Sequence, residues 1–356
     1  MIDPVALAAE LIRIPSESGD VSGMRAVQER VVAAIREHAP TATVRSGGDH
    51  LPWTLVSVGP GTLPGVMLAC HTDTVPSGDP DAWQGSPIDG AITDGALHGR
   101  GAVDMKGALA AGAAAIVRSA AQGHPAHLLM TADEEVGSLG AVPAGEAAAA
   151  LPLRGVIIPE ATDLTVRCGH RGAAWLRLIA HGRAAHGSAP DRGINAVMRL
   201  AEALRTGLAT FPARSDDMLG TETASVGRFL GGTATNIVPD CAHADLDQRT
   251  IADATVLVEH WRRLDGIDNI ETILDLPPLR TDPAARFVTS LPAETDRAPV
   301  TYFTDGSVLA HRLGDVPIVV WGPGSPSQMH SVDETVPVDQ LERAADLFAQ
   351  AIAAPS

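Results

Sequence analysis

Six residues scattered along the chain have side chains and surroundings suited to chemistry: His71, Asp104, Glu134, Glu135, Glu160 and His330. The densest stretch is Thr131-Ala132-Asp133-Glu134-Glu135-Val136-Gly137, where the apolar run Leu128-Leu129-Met130 feeds into three consecutive acids. So much negative charge at the end of a buried strand is costly unless something cationic waits there. Lys and Arg are sparse nearby, so a metal ion is the natural partner, with one carboxylate as ligand and its neighbour free for proton transfer. A solvated acidic turn is the competing reading. Asp104, flanked by Gly99, Gly101 and Gly107, also has two readings. It caps the helix that follows, or the glycines let the backbone bend sharply and bring its carboxylate up to another group as a ligand.

Two imidazoles and several carboxylates without clustered thiolates suit zinc, cobalt or manganese better than an iron-sulfur centre or calcium. With one acid set aside as a base, the remaining five are too many for one tetrahedral ion. They suit two ions sharing a carboxylate, about 3.5 to 4 Å apart, as in two-metal hydrolases. Such a site makes a nucleophile of water near neutral pH, and the spare acid can take the proton. Asp73, two residues after His71, is placed to hold that imidazole through its other nitrogen. Cys70 beside His71 is either a further ligand or a buried strand residue.

These groups recur in one kind of setting. Val66-Met67-Leu68-Ala69-Cys70 runs into His71, Leu128-Leu129-Met130 into the acidic stretch, and Val156-Ile157-Ile158-Pro159 into Glu160. Residues 316–321 lead through a Gly/Pro/Ser loop to His330. Continuous apolar runs between helical stretches predict a largely parallel sheet covered by helices on both faces, and ligands gather at the carboxyl ends of such strands. Asp3-Pro4 predicts a capped helix over 5–12, with amphipathic helices over 23–38 and 338–352 and an Ala-rich helix over 108–122. Short strands are predicted over 42–44 and 54–58. Between 168 and 278 the pattern changes to strand, helix, strand, strand, helix, strand, the ferredoxin-like order of a self-contained α+β domain. Apolar runs of the first style return after Pro299, so this domain is inserted: residues 1–167 and 279–356 form one domain and 168–278 the other.

At 356 residues two domains are expected on length alone. With 43 acids against 26 Lys and Arg the net charge is -17, which argues against nucleic-acid or anionic-membrane partners. No basic stretch followed by an apolar run opens the chain, and no apolar run approaches the roughly 18 residues of a membrane span. The three cysteines are odd in number and widely spaced, as suits a reducing compartment. A cytoplasmic protein is expected.

The strings HTDTVP from His71, GRGAVDMKG from Gly99, TADEEVGS from Thr131, HGSAP from His186, GGTATNIVP from Gly231 and MHSVDE from Met329, with the Glu160 segment, resemble the M20 metallopeptidase family. Acetylornithine deacetylase, succinyl-diaminopimelate desuccinylase, aminoacylases and glutamate carboxypeptidases belong to that family. The resemblance runs in order over nearly the whole chain. It implies two zinc ions, with cobalt or manganese as alternatives: His71, Asp104 and Glu160 hold one, and Asp104 bridges to a second held by Glu135 and His330. It further implies Glu134 as general base, Asp73 orienting His71, and a cis peptide between Asp104 and Met105. The inserted domain becomes a lid and a homodimer interface. His186 would help stabilise the oxyanion, often in the partner subunit, and Asn236 and Arg249 would bind substrate. An imidazole and an amide can donate to a developing oxyanion, and Arg offers a fork to a carboxylate. A strand-surface salt bridge is the other reading of Arg249.

The family's Gly-Gly-Thr-Ser-Asp element is here Tyr302-Phe303-Thr304-Asp305-Gly306, and its Gly-Glu-Pro segment is Ile158-Pro159-Glu160-Ala161. Both departures bear on specificity. The Gly322-Pro323-Gly324-Ser325 run is more like acetylornithine deacetylases. The implied activity is hydrolysis of the amide of an N-acyl amino acid, with a dipeptidase or carboxypeptidase as the alternative. A non-catalytic metal-dependent binding protein would be expected to have lost Glu134 or a ligand, and all are present.

Overall fold

The computed structural model describes residues 1–355, which divide into two compact units: Met1–Gly169 together with the chain from Leu279 onward, and His170–Pro278. The junction lies two residues beyond the position expected from sequence.

The larger unit is built on an eight-stranded sheet whose spatial order is Thr43–Gly47, Trp53–Val58, Ala126–Thr131, Gly65–His71, Leu153–Ala161, Ile318–Gly322, Val166–Arg167 and Thr295–Asp296. Its central four strands, from Ala126–Thr131 to Ile318–Gly322, pair in parallel, and the outer pairings at the Thr43 end are antiparallel. Every residue of Gly65–His71 and Ala126–Thr131 is buried. Helices cover the sheet, so these strands need no polar face and read as unbroken apolar runs. Parallel pairing puts the carboxyl ends of all four central strands on one edge.

The helices follow from local signals. Asp3 caps Pro4–Ile12 by accepting from the Val5 and Ala6 N–H groups, with Pro4 in the first turn, and Asp20 caps Val21–His38 in the same way. The Ala-rich helix Gly107–Gln122 is almost wholly buried. A Cβ added at Gly112 would come within 3.2 Å of Leu68 Cδ1, so small residues bring this helix down onto the sheet. The C-terminal helix Val338–Ala353 buries Leu341, Ala344, Ala345 and Phe348, the last edge-to-face on Trp321 at 5.4 Å. Sequence patterning misses one small element that matters below: Thr335–Pro337 pairs antiparallel with Ala96–His98.

The smaller unit is a four-stranded antiparallel sheet in the order Thr223–Gly231, Cys241–Thr250, Gly172–His181, Asn269–Leu276, with helices Ala196–Ala209 and Thr255–Arg262. This is the ferredoxin-like order. Its core gathers Leu176, Leu178, Leu200, Leu246 and Trp261. The Trp261 indole is fully buried and donates to Gln248 Oε1 at 2.8 Å. Trp261→Ala is expected to cost about 3–5 kcal/mol, since it opens a cavity and removes the donor of a buried amide oxygen. Urea unfolding followed by circular dichroism measures that loss.

Candidate metal centre

The carboxyl edge of the central strands carries the predicted groups. His71 is the last residue of its strand, and Glu160 sits at the end of Leu153–Ala161. Glu134 and Glu135 follow Thr131 on a turn that Asp133 enters at φ 53°. His330, at φ 60°, lies in the loop after Ile318–Gly322. Asp104 comes from a non-helical kink ahead of Gly107–Gln122, and its peptide to Met105 is cis. That helix has no side-chain cap at its N-terminus, so capping is not the role of Asp104.

Asp104 instead faces both imidazoles. Its Oδ1 is 2.9 Å from His71 Nε2, and its Oδ2 is 3.2 Å from His330 Nε2. His71 Nε2 also lies 3.2 Å from Glu160 Oε1, and His330 Nε2 lies 2.9 Å from Glu135 Oε2. His71, Asp104 and Glu135 offer ligand atoms within 4.8 Å of one another. Cys70 does not join them: it is buried within its strand, and burial pushes its thiol far above the ordinary range.

Asp73 meets the His71 ring at the expected nitrogen, chiefly through its backbone. His71 Nδ1 is 3.0 Å from the Asp73 main-chain carbonyl and 3.6 Å from its Oδ1, so the backbone oxygen is the nearer partner of the ring. The Asp73 carboxylate is spent on the neighbouring turn. It accepts from the Glu134 N–H at 3.1 Å, the Glu135 N–H at 3.2 Å and the Ser18 hydroxyl at 2.8 Å. One residue thus positions an imidazole and the backbone of both acids.

Burial dominates the electrostatics. It drives Glu134 well above the usual carboxylate range and, reinforced by the charge of Asp104, raises Glu135 and lifts Glu160 to about 8. Hydrogen bonds to Asp104 and Glu135 raise His330 to about 10. Burial alone would raise Asp104, but hydrogen bonds from His330 and His71 outweigh it and keep that carboxylate ionised. Glu134 Oε1, Glu135 Oε1 and Glu160 Oε2 are buried and find no hydrogen-bond partner among the described residues. Buried acceptors without donors are rare in folded proteins. These orphans, on acids grouped round two imidazoles, fit divalent cations. Access is from the His330 side: its side chain is half exposed, and Val136, Leu139 and Val332 beside the ligand segments are exposed too.

Three further residues were not anticipated. Asp305 is buried with Oδ2 on the Thr131 hydroxyl at 2.6 Å, and burial lifts it to about 6. Tyr302 donates to the Ala161 carbonyl at 2.6 Å and so braces the strand end that carries Glu160. Glu334 is fully buried against the Asp104 loop. The MHSVDE and Thr-Asp-Gly strings contain two of them, but nothing in residue type distinguishes a buried acid there from a solvated one.

In the smaller unit His186 and Asn236 are exposed, and the loops that carry them are paired: the Gly187 N–H donates to the Asn236 carbonyl at 2.7 Å. His186 Nδ1 is 2.7 Å from the Ser188 hydroxyl. A cleft of 560 Å³ beside them is lined by Gly231, Gly232, Thr233, Thr235 and Ile237 among others. Arg249 makes the salt bridge considered for it, Nε lying 3.0 Å from Asp247 Oδ1 on the same strand.

So much buried acid turned on two imidazoles, and reachable from solvent, belongs to a hydrolase that works with metal. The sequence identifies the kind: residues 67–354 match peptidase family M20/M25/M40, the chain belongs to that family, and it acts on amide bonds. A succinyl-diaminopimelate desuccinylase of Methylobacterium sp. (strain 4-46) is 31% identical over 376 residues, covering 97% of this chain and 94% of its own. A probable carboxypeptidase of Aspergillus terreus is 33% identical over 313 residues, 80% of this chain and 70% of its own. The M20 family metallo-carboxypeptidase Sso-CP2 of Sulfolobus solfataricus has the same fold, with a TM-score of 0.82 at 18% identity over 99% of each chain.

Because Glu160, raised to about 8, and His330, raised to about 10, hold protons above their ordinary ranges, ligation must expel protons that the metal-free site keeps at neutral pH. Affinity for a divalent cation is therefore expected to rise with pH, about tenfold per unit for each proton displaced. Calorimetric titrations at pH 6 and 8, each in two buffers of different ionisation enthalpy, check this. Binding without proton release would contradict it.

Proposed function

We propose that the protein hydrolyses the amide of an N-acyl amino acid, of the deacetylase or desuccinylase type, at a centre of two divalent ions, zinc by preference with cobalt or manganese as alternatives. His71, Asp104 and Glu160 would hold one ion and Asp104, Glu135 and His330 the other. The observation that carries this reading is the division of Asp104, one oxygen to each imidazole. A carboxylate so shared, with an acid on the far side of each histidine, supports a donor set for two cations. Bound ions of this kind polarise the substrate carbonyl and lower the pKa of water.

The residues of the chain do the rest. Glu134, placed by the Asp73 carboxylate through its own N–H, takes the proton of the attacking water and delivers it to the departing amine nitrogen. Burial raises its carboxyl above the ordinary range, the direction that favours holding the transferred proton before it is passed on. His186 would donate to the oxyanion, from its own chain or from a partner subunit in a homodimer formed through the smaller unit. Asn236 and Arg249 would hold the substrate's polar end. The curated relatives named succinyl-diaminopimelate desuccinylase favour a succinylated amine as substrate. The relative named probable carboxypeptidase keeps peptide cleavage as the second reading. A cytoplasmic setting fits Cys70, Cys168 and Cys241, all free thiols, the last of them exposed.

Metal-stripped protein resupplied with zinc or cobalt is expected to release amine from N-succinyl-diaminopimelate or another N-acyl amino acid, and Glu134→Ala to lower kcat by at least about 10²-fold while retaining metal. Cleavage of dipeptides alone would establish the peptidase reading. A Glu134→Ala variant with near-normal turnover would remove Glu134 from the mechanism.

A further inference from the structure

We propose that Glu334 is a positioning residue of the metal centre: its carboxylate clamps the loop that carries Asp104 to the segment that carries His330, and so fixes the spacing of the two ligands. The inference rests on the metal-site reading above. Glu334 has no exposed surface and lies four residues after His330. Its Oε2 accepts from Arg100 Nη1 at 2.7 Å and from the Gly101 N–H at 3.0 Å. Its Oε1 accepts from the Val103 N–H at 2.8 Å and from the Asp104 N–H, 230 residues away in sequence, at 3.1 Å. The Glu334 carbonyl takes the Gly99 N–H at 3.0 Å, and the next residues pair as a strand with Ala96–His98.

The same clamp is held from its other side. Arg100 Nη1 also donates to the Ser331 carbonyl at 3.2 Å, next to His330, and its guanidinium lies 5.1 Å above the Trp83 ring. Gly101 sits at φ 85°, which turns successive N–H groups of the loop inward as an anion-binding concavity. Outside regular helix, these buried N–H groups have Glu334 as their acceptor, and without it they would be orphans. The arrangement needs a carboxylate in particular. Each oxygen receives two donors, so an amide of the same shape, turned either way, would aim its NH2 at two of them.

The test compares wild type with Glu334→Gln, both stripped of metal and titrated with Co2+, with d–d absorption and calorimetry as readouts and thermal unfolding as control. The expected result is Co2+ affinity about 10–100-fold weaker, the range for disturbed outer partners of metal ligands. An altered d–d spectrum and a fall in kcat that exceeds any rise in KM should accompany it, in protein that remains folded. A merely structural glutamate would lower the melting temperature and leave affinity and spectrum of the folded protein unchanged, and that result overturns the proposal. Should Glu334→Gln not fold, Arg100→Lys keeps the cation while removing the fork. A severalfold loss of Co2+ affinity supports the clamp, and unchanged affinity and spectrum overturn it. Wild type that binds no Co2+ would overturn the metal-site reading itself, an outcome distinct from failure of the clamp.

Discussion

The structure turns on the cost of burying negative charge. Asp73, Asp104, Glu134, Glu160, Asp305 and Glu334 are all buried at or near one edge of one sheet, where water solvates them poorly. A fold tolerates this only by supplying compensation, and it does so in graded fashion. Backbone N–H groups and an arginine satisfy Glu334, backbone and a hydroxyl satisfy Asp73, and a threonine takes one oxygen of Asp305. Compensation is incomplete at Glu134, Glu135 and Glu160, each with an orphaned oxygen near the imidazoles, and at Asp305, whose Oδ1 is orphaned too.

That gradation separates what supports the site from what performs chemistry. An acid whose oxygens are taken up by N–H and hydroxyl donors has little capacity left to ligate or exchange protons, so in the proposed mechanism Asp73 and Glu334 would act through the groups they hold. Asp104 stands between the two kinds, its backbone N–H given to Glu334 and its carboxylate to the histidines. The parallel sheet makes this economical. Four strands deliver their last residues to one edge, and loops extending from that edge need travel little to meet.

Tyr302 illustrates how a family scaffold is varied without disturbing this balance. Where the resemblance implies glycine, the phenol reaches the Ala161 carbonyl beside Glu160. The change adds bulk and a hydrogen bond next to the ligands but places no new charge among them.

Much of this was legible in the sequence. Apolar runs ending in His71, the Glu134–Glu135 pair and Glu160 identified the strands, their parallel pairing and the edge where polar groups collect, since a strand covered on both faces has no other place for them. The β-α-β-β-α-β pattern of the smaller unit was equally plain from its alternation. Sequence left open whether Asp104 was a cap or a ligand, because both roles suit an aspartate before a helix. The backbone kink decided it, by turning the carboxylate away from the helix N–H groups. Sequence placed Asp73 on the His71 ring without saying through which atom; the fold gives the ring the main-chain oxygen and the carboxylate to the neighbouring turn. Glu334 and Asp305 were invisible as functional acids, for burial and partners 230 or 174 residues distant are properties of packing. Residue type and spacing therefore determined which groups the protein has for chemistry, while tertiary structure alone decided which were compensated and which were left for cations.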